Sequence, residues 1–293
     1  MKSRDQKRWS ISANVVMMLL SLLAILPILL LIIASFTDES TALQNGFSYI
    51  PEQFSLEAYK YIASEAGTLA KAYMMTIIVT VIGTTVSVII TSLLAYMLSQ
   101  KDLPGRKVLT FLVVFTMLFN GGLVPTYIMY VKYFHIKNTI FALLIPTLLM
   151  SAFIVLLVKN YFENSIPVEL YEAARIDGAS EIFIFAKIAF PLAVPILATI
   201  GLLSGIGYWN DWQNGLYYLS DPKLYTIQNI LNQINLDIAF LAQNASAGTN
   251  LADLPTTTVR MAIAVVGILP IIIVYPFFQK YFAKGITMGS VKG

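Results

Sequence analysis

Polar residues that could form directed contacts are concentrated near the middle of the chain, between residues 168 and 181. In a protein of 293 residues that is only 12% charged, this stretch carries Glu169, Glu172, Arg175, Asp177 and Glu181. Glu172 precedes two small residues, Ala173 and Ala174, so another surface could approach its carboxylate closely. Such a carboxylate can accept a charge-assisted hydrogen bond from an Arg or Lys of a partner. The pattern predicts protein recognition, with an ordinary amphipathic loop at a membrane surface as the alternative.

The remaining composition argues against an enzyme. The chain has no Cys, which excludes disulfides, a thiol nucleophile and thiolate metal ligands. His135 is the single histidine, so a multi-histidine metal site or a histidine relay is excluded. No Gly-x-x-x-x-Gly-Lys-Ser/Thr stretch is present, so this chain does not carry a phosphate-binding loop of that type. We expect no catalytic residue, no metal site and no cofactor in this chain, and the net charge of +3 gives no strong signal for nucleic acid.

Local signals predict two short helices with a sharp corner around this charged stretch. Pro167 suits the first turn of a helix, where its missing N–H costs nothing. Asp177-Gly178 is a helix stop, because Gly accepts the left-handed conformation of a C-terminal cap. Ser180 followed by Glu181 can begin the second helix.

The rest of the chain is predicted to be an all-α integral membrane protein with six transmembrane helices. The sequence is 57% hydrophobic, too apolar for a soluble domain. A bilayer span needs about 20 apolar residues in a helix. Six stretches satisfy this requirement: 12–36, 73–98, 108–131, 138–158, 188–208 and 261–279. The first has an apolar run too long for a signal peptide and lacks a small-x-small cleavage site, so we expect it to be retained.

The distribution of basic residues predicts the orientation. With six spans, 13 of the 19 Lys and Arg residues fall on the side of the two termini and 6 on the other side. The positive-inside rule then places both termini and the Glu172 loop in the cytosol. The predicted segments are a cytosolic N-terminus (1–11), a six-helix transmembrane domain (12–283) with a cytosolic loop (161–189) and outer loops (38–72 and 213–259), and a cytosolic tail (284–293).

The charged stretch resembles the EAA loop of binding-protein-dependent ABC importers. The resemblance rests on Glu172-Ala173-Ala174, Asp177-Gly178-Ala179, Ile188, Pro191 and Pro195. Phe190 departs from the family, which usually has Leu before the Pro. In that family the loop is a coupling helix that docks into a groove of the ATPase subunit. The resemblance implies that Glu172 takes an ATPase Arg, that Ala173 and Ala174 pack in the groove, and that Asp177-Gly178 sets the corner. Arg175 is expected to be one of the same coupling residues.

The resemblance extends over nearly all of the chain and is to the maltose-type, carbohydrate-uptake permeases. It implies the type I ABC importer permease fold in a bacterial inner membrane, crossing the lipid several times. It also implies a second homologous permease subunit, an ATPase dimer that binds ATP and Mg, and an extracytoplasmic solute-binding protein. The transported sugar would be an oligosaccharide, moved inward by ATP-driven alternating access. The alternative is a six-span secondary transporter or channel, which the absence of charged residues from the span centres disfavours, since coupling ions need such residues.

Three groups of residues are candidates for a substrate path. In the second span, Thr76, Thr80, Thr84, Ser87 and Thr91 share one helical face, which could line a polar path or hold a neighbouring helix. Asn120-Gly121-Gly122 followed by Pro125 and Tyr127 predicts a broken helix that could face the path or be a plain kink. The run Tyr208, Trp209, Asn210, Asp211 and Trp212 could contact sugar or belong to an interfacial aromatic belt.

Two further expectations concern the outer side. Within residues 240–254, the stretch 243–250, which includes Gln243, Asn244 and Asn250, is small and polar and could be a simple linker. In maltose-type importers the corresponding loop reaches into the solute-binding protein. The subgroup resembled includes alginate-type importers, and the basic residues Lys132, His135 and Lys137 would suit an acidic sugar if they are more than solvated loop charges.

Overall fold

The structure is a computed structural model that describes residues 4–244 and 256–288, with side chains for residues 9–236 and 257–277. In these ranges the chain is helical, and the β pairing is an isolated bridge between Thr37 and Phe54. The helices are α1 (Arg4–Ser35), α2 (Glu39–Asn45), α3 (Glu57–Ser64), α4 (Ala66–Ser99), α5 (Arg106–Leu118), α6 (Leu123–Ile128), α7 (Phe141–Leu144), α8 (Ala152–Asn164), α9 (Val168–Ile176), α10 (Glu181–Ile184), α11 (Phe190–Leu192), α12 (Val194–Trp209), α13 (Gln213–Tyr218), α14 (Ile227–Asn244) and α15 (Thr256–Met288). Two π-helical turns, Met129–Tyr133 and Phe185–Ala189, and a 3₁₀ turn, Pro222–Leu224, complete the chain order.

Three helices are long and apolar enough to cross a membrane, judged by length and composition. They are Trp9–Ser35, Ala66–Ser99 and Thr257–Phe277, and they coincide with the first, second and sixth apolar stretches of the sequence. Two bent helix pairs raise the number of candidate spans to as many as five among the described residues. The all-helical class with several apolar helices is therefore confirmed for the described residues, while the total of six spans stays a prediction.

The two bends lie in the third and fifth apolar stretches. Between Arg106–Leu118 and Leu123–Tyr133 the helix axis turns by 115°. Gly122 lies at this break with φ +86°, a conformation that Gly adopts without a steric penalty. Between Glu181–Leu192 and Val194–Trp209 the axis turns by 81°, just before Pro195. The break predicted from the Gly-Gly-x-x-Pro sequence is thus present.

The fourth apolar stretch does not form one continuous helix. A single turn, α7, ends at Leu144, and α8 begins only at Ala152. Between them Pro146 has no N–H for a helical hydrogen bond, and Thr147 has φ +61°, outside the right-handed helical region. This local geometry interrupts what hydropathy alone indicates as one span over 138–158.

The described residues form two compact units. One combines the chain up to Leu69 with Leu231–Leu269, and the other combines Ala70–Ile230 with the chain from Pro270. In the first unit, the buried Glu39 carboxylate accepts hydrogen bonds from the backbone N–H groups of Thr257 (2.9 Å) and Thr258 (2.8 Å). It thereby satisfies donors at the beginning of α15 that no helical carbonyl can reach.

The second unit contains two apolar clusters. One lies around Tyr96, Phe162 and Tyr171, and it packs α9 and α10 against the end of α4. The other lies around Tyr208 and Tyr218. The predicted outer loop 213–259 is largely helical where it is described, because it contains α13 and α14.

Candidate coupling helix and transport path

The α9 segment has the corner that its sequence predicts. The helix begins directly after Pro167 and ends before Gly178, whose φ of +80° allows the reversal. The Gly178 N–H donates to the Arg175 carbonyl (3.0 Å), and the Ala179 N–H donates to the Ala174 carbonyl (2.9 Å). Ser180 then caps α10 by accepting a hydrogen bond from the Phe183 N–H (3.4 Å). The chain reversal fixes the direction of α9 against α10.

One face of α9 is free. Glu172, Ala173 and Asp177 are exposed, and Ile176 has 86% of its surface accessible. The Glu172 side chain has no hydrogen-bond or ion-pair partner among the described residues. An apolar residue this exposed, four positions after an unpaired carboxylate, makes a face suited to docking. Sequence reasoning missed Ile176, although its i+4 spacing from Glu172 was visible.

The opposite face of α9 is attached to the protein. Tyr171 is only 3% exposed, and Ala174 packs against the apolar cluster around Tyr96. Burial raises the pKa of the Tyr171 hydroxyl to about 12. The Arg175 Nε donates to the Glu181 carboxylate (2.6 Å), and an Arg175 Nη donates to the Gln100 side-chain oxygen (2.6 Å). Of the predicted coupling residues, Glu172, Ala173 and Asp177 therefore face outward, whereas Ala174 and Arg175 face the rest of the chain.

A cavity of about 520 Å³ lies between α4, α12 and the part of α15 from Pro270. Its lining is mostly apolar, and the residues with polar side-chain atoms are the threonines of α4, Trp209 and Tyr275. The oxygens of Thr80 and Thr84 are buried there without a hydrogen-bond partner, whereas Thr85 donates to the Val81 carbonyl (2.7 Å). Buried hydroxyls are nearly always paired, so two unpaired ones in one cavity indicate a place for a polar ligand or water.

Two other hydroxyls of the α4 stripe, those of Thr76 and Ser87, hold helices together. Thr76 donates to the Ala72 carbonyl (2.7 Å) and accepts from the Ile227 N–H at the beginning of α14 (2.9 Å). The hydroxyls of Ser87 and Ser204 lie 3.5 Å apart between α4 and α12. The two interpretations of the stripe thus apply to different residues: Thr76 and Ser87 join helices, and Thr80 and Thr84 line the cavity.

Asn120 and Tyr127, expected to line a substrate path at the broken third span, lie away from this cavity. The Asn120 side chain accepts a hydrogen bond from the Gly122 N–H (2.8 Å) and so stabilises the break. Tyr127 stacks on Tyr218, with ring centroids 5.7 Å apart. Neither side chain lines the cavity between α4, α12 and α15.

The residues of the run from 208 to 212 also differ in what they contact. Trp209 lines the cavity, whereas the Tyr208 hydroxyl is buried and donates to the Leu144 carbonyl (2.8 Å). Asn210 donates to the Ile206 carbonyl (3.0 Å), and Trp212 is 40% exposed. One carboxylate oxygen of Asp211 is buried without a partner, and burial raises the pKa of this side chain.

Residues expected to reach a binding protein are only partly described. Gln243 and Asn244 belong to the backbone of α14, and nothing is described of their side chains. Asn250 lies outside the described residues. Their role stays a prediction.

Comparison with known proteins agrees with this architecture. Residues 90–288 match the model of the family described as "Binding-protein-dependent transport system inner membrane component". The polygalacturonan/rhamnogalacturonan transport system permease protein YtcP of Bacillus subtilis is 42% identical over 94% of this chain and 96% of that protein. The arabinooligosaccharides transport system permease protein AraQ of Halalkalibacterium halodurans is 30% identical over 94% and 93%.

A solved structure is also similar. It is described as the crystal structure of a bacterial ABC transporter involved in the import of the acidic polysaccharide alginate. The matched chain superposes with a TM-score of 0.79 and 32% sequence identity, over 96% of this chain and 99% of that chain. Together with the apolar helices and the helical corner after α9, these matches establish that the chain belongs to the family of binding-protein-dependent transport system inner membrane components, as a multi-pass permease of the inner membrane.

Proposed function

We propose that this chain is the permease subunit of a carbohydrate ABC importer that moves an acidic oligosaccharide inward. It would act with a second homologous permease, an ATPase dimer that binds ATP and Mg, and an extracytoplasmic solute-binding protein. The observation that carries the proposal is the free face of α9, where the unpaired Glu172 carboxylate lies beside Ala173 and the exposed Ile176. A surface with a basic residue and an apolar groove would complement this face.

The mechanism follows from which contacts each face of α9 can make. The outward face is available to the ATPase, while Tyr171 and Arg175 attach the helix to the permease. Closure of the ATPase pair on ATP would then move α9 and bias the permease between inward-open and outward-open states. Energy enters as the difference in binding free energy between these two states.

An acidic substrate is supported by two considerations. The first is that one relative is named for polygalacturonan and the similar structure for alginate. Both sugars are polymers of uronates and are therefore acidic. The second is the exposure of Lys132, near the end of the π-helical turn Met129–Tyr133, and of His135 and Lys137 in the loop that follows it. That loop is tied to a second one, because the Asn138 side-chain oxygen accepts hydrogen bonds from the N–H groups of Ser220 (2.6 Å) and Asp221 (3.2 Å). Basic groups on such a braced surface would attract a uronate chain.

Purification of the tagged chain in mild detergent from its native host tests the assignment. We expect mass spectrometry to identify a second permease and an ATPase with the native chain, and to find the ATPase depleted with Glu172→Lys. The matched control is Glu57→Lys, which replaces another exposed carboxylate at the first turn of α3 and should retain the ATPase. A homo-oligomer without any ATPase would instead favour a channel or a secondary transporter.

The substrate is tested separately with the complex in proteoliposomes. Oligogalacturonates, alginate oligomers and neutral arabino-oligosaccharides, each supplied with the solute-binding protein and ATP, are compared for uptake. Uptake of the two acidic sugars over the neutral one is expected, and the reverse order would exclude the acidic assignment. Because the chain has no native Cys, single-Cys labelling at position 172 also tests the topology, and labelling from the outer side alone would contradict it.

A further inference from the structure

The charged and polar groups behind α9 form one connected network at the end of α4. Arg175 binds Glu181 and Gln100, each at 2.6 Å. The Tyr96 hydroxyl donates to the second oxygen of the same Glu181 carboxylate (2.9 Å). Glu181 is therefore held by groups from two elements: α9 through Arg175 and α4 through Tyr96.

The rings around Tyr96 strengthen the same junction. Tyr96 lies edge-on to Tyr171 of α9, with ring centroids 5.8 Å apart. It also contacts Phe185, in the π-helical turn after α10, with centroids 5.3 Å apart. Arg175 and Tyr171 are four residues apart on α9 and so lie on the same face of that helix. This face points toward α4, away from Glu172 and Ile176.

Apolar side chains do not fill the whole contact between the end of α4 and the segment formed by α9 and α10. A cavity of about 690 Å³ opens beside the network, lined mainly by apolar residues of α4 and by Ile182 and Phe185. The residues with polar side-chain atoms in its lining are Tyr96, Gln100, Asp102, Arg175 and Glu181. Beside this cavity, the hydrogen bonds of Tyr96 and Arg175 to Glu181 connect α4 and α9 directly with α10.

The network also leads toward the candidate transport path. The helix α4 runs without interruption from Ala66 to Ser99 and carries Thr80 and Thr84 in its middle part. An uninterrupted α-helix rises 1.5 Å per residue, so Thr84 lies roughly 18 Å along the axis from Tyr96. A displacement of the Tyr96 end would move the cavity-lining hydroxyls as part of one rigid element.

We propose that Arg175, Glu181, Tyr96 and Gln100 form a mechanical joint that transmits movement of α9 to α4. Arg175 is then a positioning residue behind the docking face, not a group that contacts the ATPase. The inference rests on the proposed function for the identity of the motor, but the rigidity of the joint is a property of this chain alone. Loss of the joint leaves ATPase binding intact and disconnects it from the transport path.

Spin-label distance measurements in the purified complex test the joint. A label on α9 (Glu169→Cys) and one on α4 (Met74→Cys) occupy exposed positions outside the network, and the chain has no native Cys to interfere. The native background should show a narrow distance distribution both without nucleotide and after trapping with ATP and vanadate. With Arg175→Ala the distribution should broaden and shift on trapping, because α9 then moves without α4.

Milder variants keep the test valid if Arg175→Ala fails to fold. Tyr96→Phe removes one hydrogen bond and retains the ring contacts, and a smaller broadening is expected. The exchanged pair Arg175→Glu with Glu181→Arg should narrow the distribution again relative to either single exchange. Lys159→Ala is the control, because Lys159 pairs with Glu163 within α8 and takes no part in the network. A distribution as narrow as the native one in all network variants would overturn the proposal.

ATPase copurification and sugar uptake distinguish a failure of the joint between α9 and α4 from a failure of the importer assignment. In network variants the ATPase should copurify at native levels and hydrolyse ATP, while sugar uptake per ATP hydrolysed falls several-fold for whichever test sugar the native complex moves. Undiminished uptake per ATP would also overturn the joint. If no ATPase accompanies the native chain, the importer assignment fails, whereas the spin-label comparison without nucleotide still decides whether the network holds α9 to α4.

Discussion

The ring of Tyr208 lies directly against the backbone of Gly83. A Cβ atom built on Gly83 would lie 2.5 Å from the nearest ring carbon of Tyr208, closer than real Cβ contacts. The ring cannot move away freely, because its hydroxyl donates to the Leu144 carbonyl (2.8 Å) and its side chain is fully buried. This close approach sets the separation of α4 and α12 beside the candidate path.

Gly83→Ala should therefore destabilise the protein by about 1–3 kcal/mol through overpacking. The measurement is the apparent melting temperature in detergent. Gly67→Ala is the control in the same helix, where nothing lies within 4 Å of the added atom. Since Ala is favoured over Gly in a helix by roughly 0.5–1 kcal/mol, this control should be neutral or stabilising. Equal effects of both substitutions would contradict the close approach.

Glu39→Ala should destabilise the first unit by about 1–3 kcal/mol, because it leaves the N–H groups of Thr257 and Thr258 without their acceptor. Faster hydrogen exchange at these two amides would show the effect at its source. Glu57→Ala removes an exposed carboxylate from the first turn of α3. It should change neither the stability nor the hydrogen exchange of the Thr257 and Thr258 amides. Unchanged exchange in Glu39→Ala would be evidence against the cap.

Ile176→Ala should weaken ATPase binding without changing the fold. Burying an isoleucine side chain contributes roughly 1.5–3 kcal/mol, so its loss from an interface corresponds to about a tenfold weaker affinity or more. The dissociation constant of the purified ATPase for the permease pair is the quantity to measure. Ile50→Ala removes a side chain that is also highly exposed, at 84% against 86%, but lies far along the chain from α9. Similar losses for both variants would indicate a non-specific effect.

Thr80→Val and Thr84→Val remove hydroxyls that have no partner in the cavity. We expect stability to stay equal or rise by up to about 1 kcal/mol, since an unsatisfied buried group is lost. Thr85→Val removes a hydroxyl that donates to the Val81 carbonyl, so stability should fall slightly. Sugar uptake should decrease in the first two variants if their hydroxyls meet the substrate, and a loss of stability comparable to Thr85→Val would show that they were paired.

Asp211→Asn should stabilise the protein at neutral pH. Burial raises the pKa of Asp211 above its usual value near 3.8, so the folded state holds its proton more tightly than the unfolded state. Stability from this group is complete below pH 3.8 and is lost as pH rises through the elevated folded pKa. The Asn variant, which retains an acceptor for the Asn214 N–H, should melt at a higher temperature than the native protein at pH 7. That difference should shrink toward pH 4, and a pH-independent difference would point to another cause.

Much of the α9 segment could be predicted from the sequence. The corner after α9 depends on Gly178, whose positive φ other residues rarely adopt, and on the Ser180 cap, so local chemistry was sufficient. The break in the third apolar stretch followed in the same way from Gly122 and Pro125. These features depend on residues within one or two turns of each other.

Other features depended on contacts between distant residues. Periodicity placed all five hydroxyls of α4 on one face. Ser87 and Thr76 join helices because Ser204 and the Ile227 N–H lie within hydrogen-bond distance of them. Thr80 and Thr84 have no such partner and line a cavity instead. Hydropathy also did not predict the interruption of the fourth apolar stretch, 138–158. It measures apolar content and carries no information on the left-handed backbone of Thr147.

By itself, the amino-acid sequence determined the membrane class, the apolar spans, the corner that follows α9 and the family resemblance, because each rests on composition or on near neighbours. Only the tertiary structure decided which way each residue of α9 faces. Arg175 and Glu172 are three positions apart in the same charged helix, yet one is bound to Glu181 and Gln100 and the other is free. The physical reason is that a helix has an inside only once another element packs against it, and here that element is the end of α4, about 75 residues earlier in the chain.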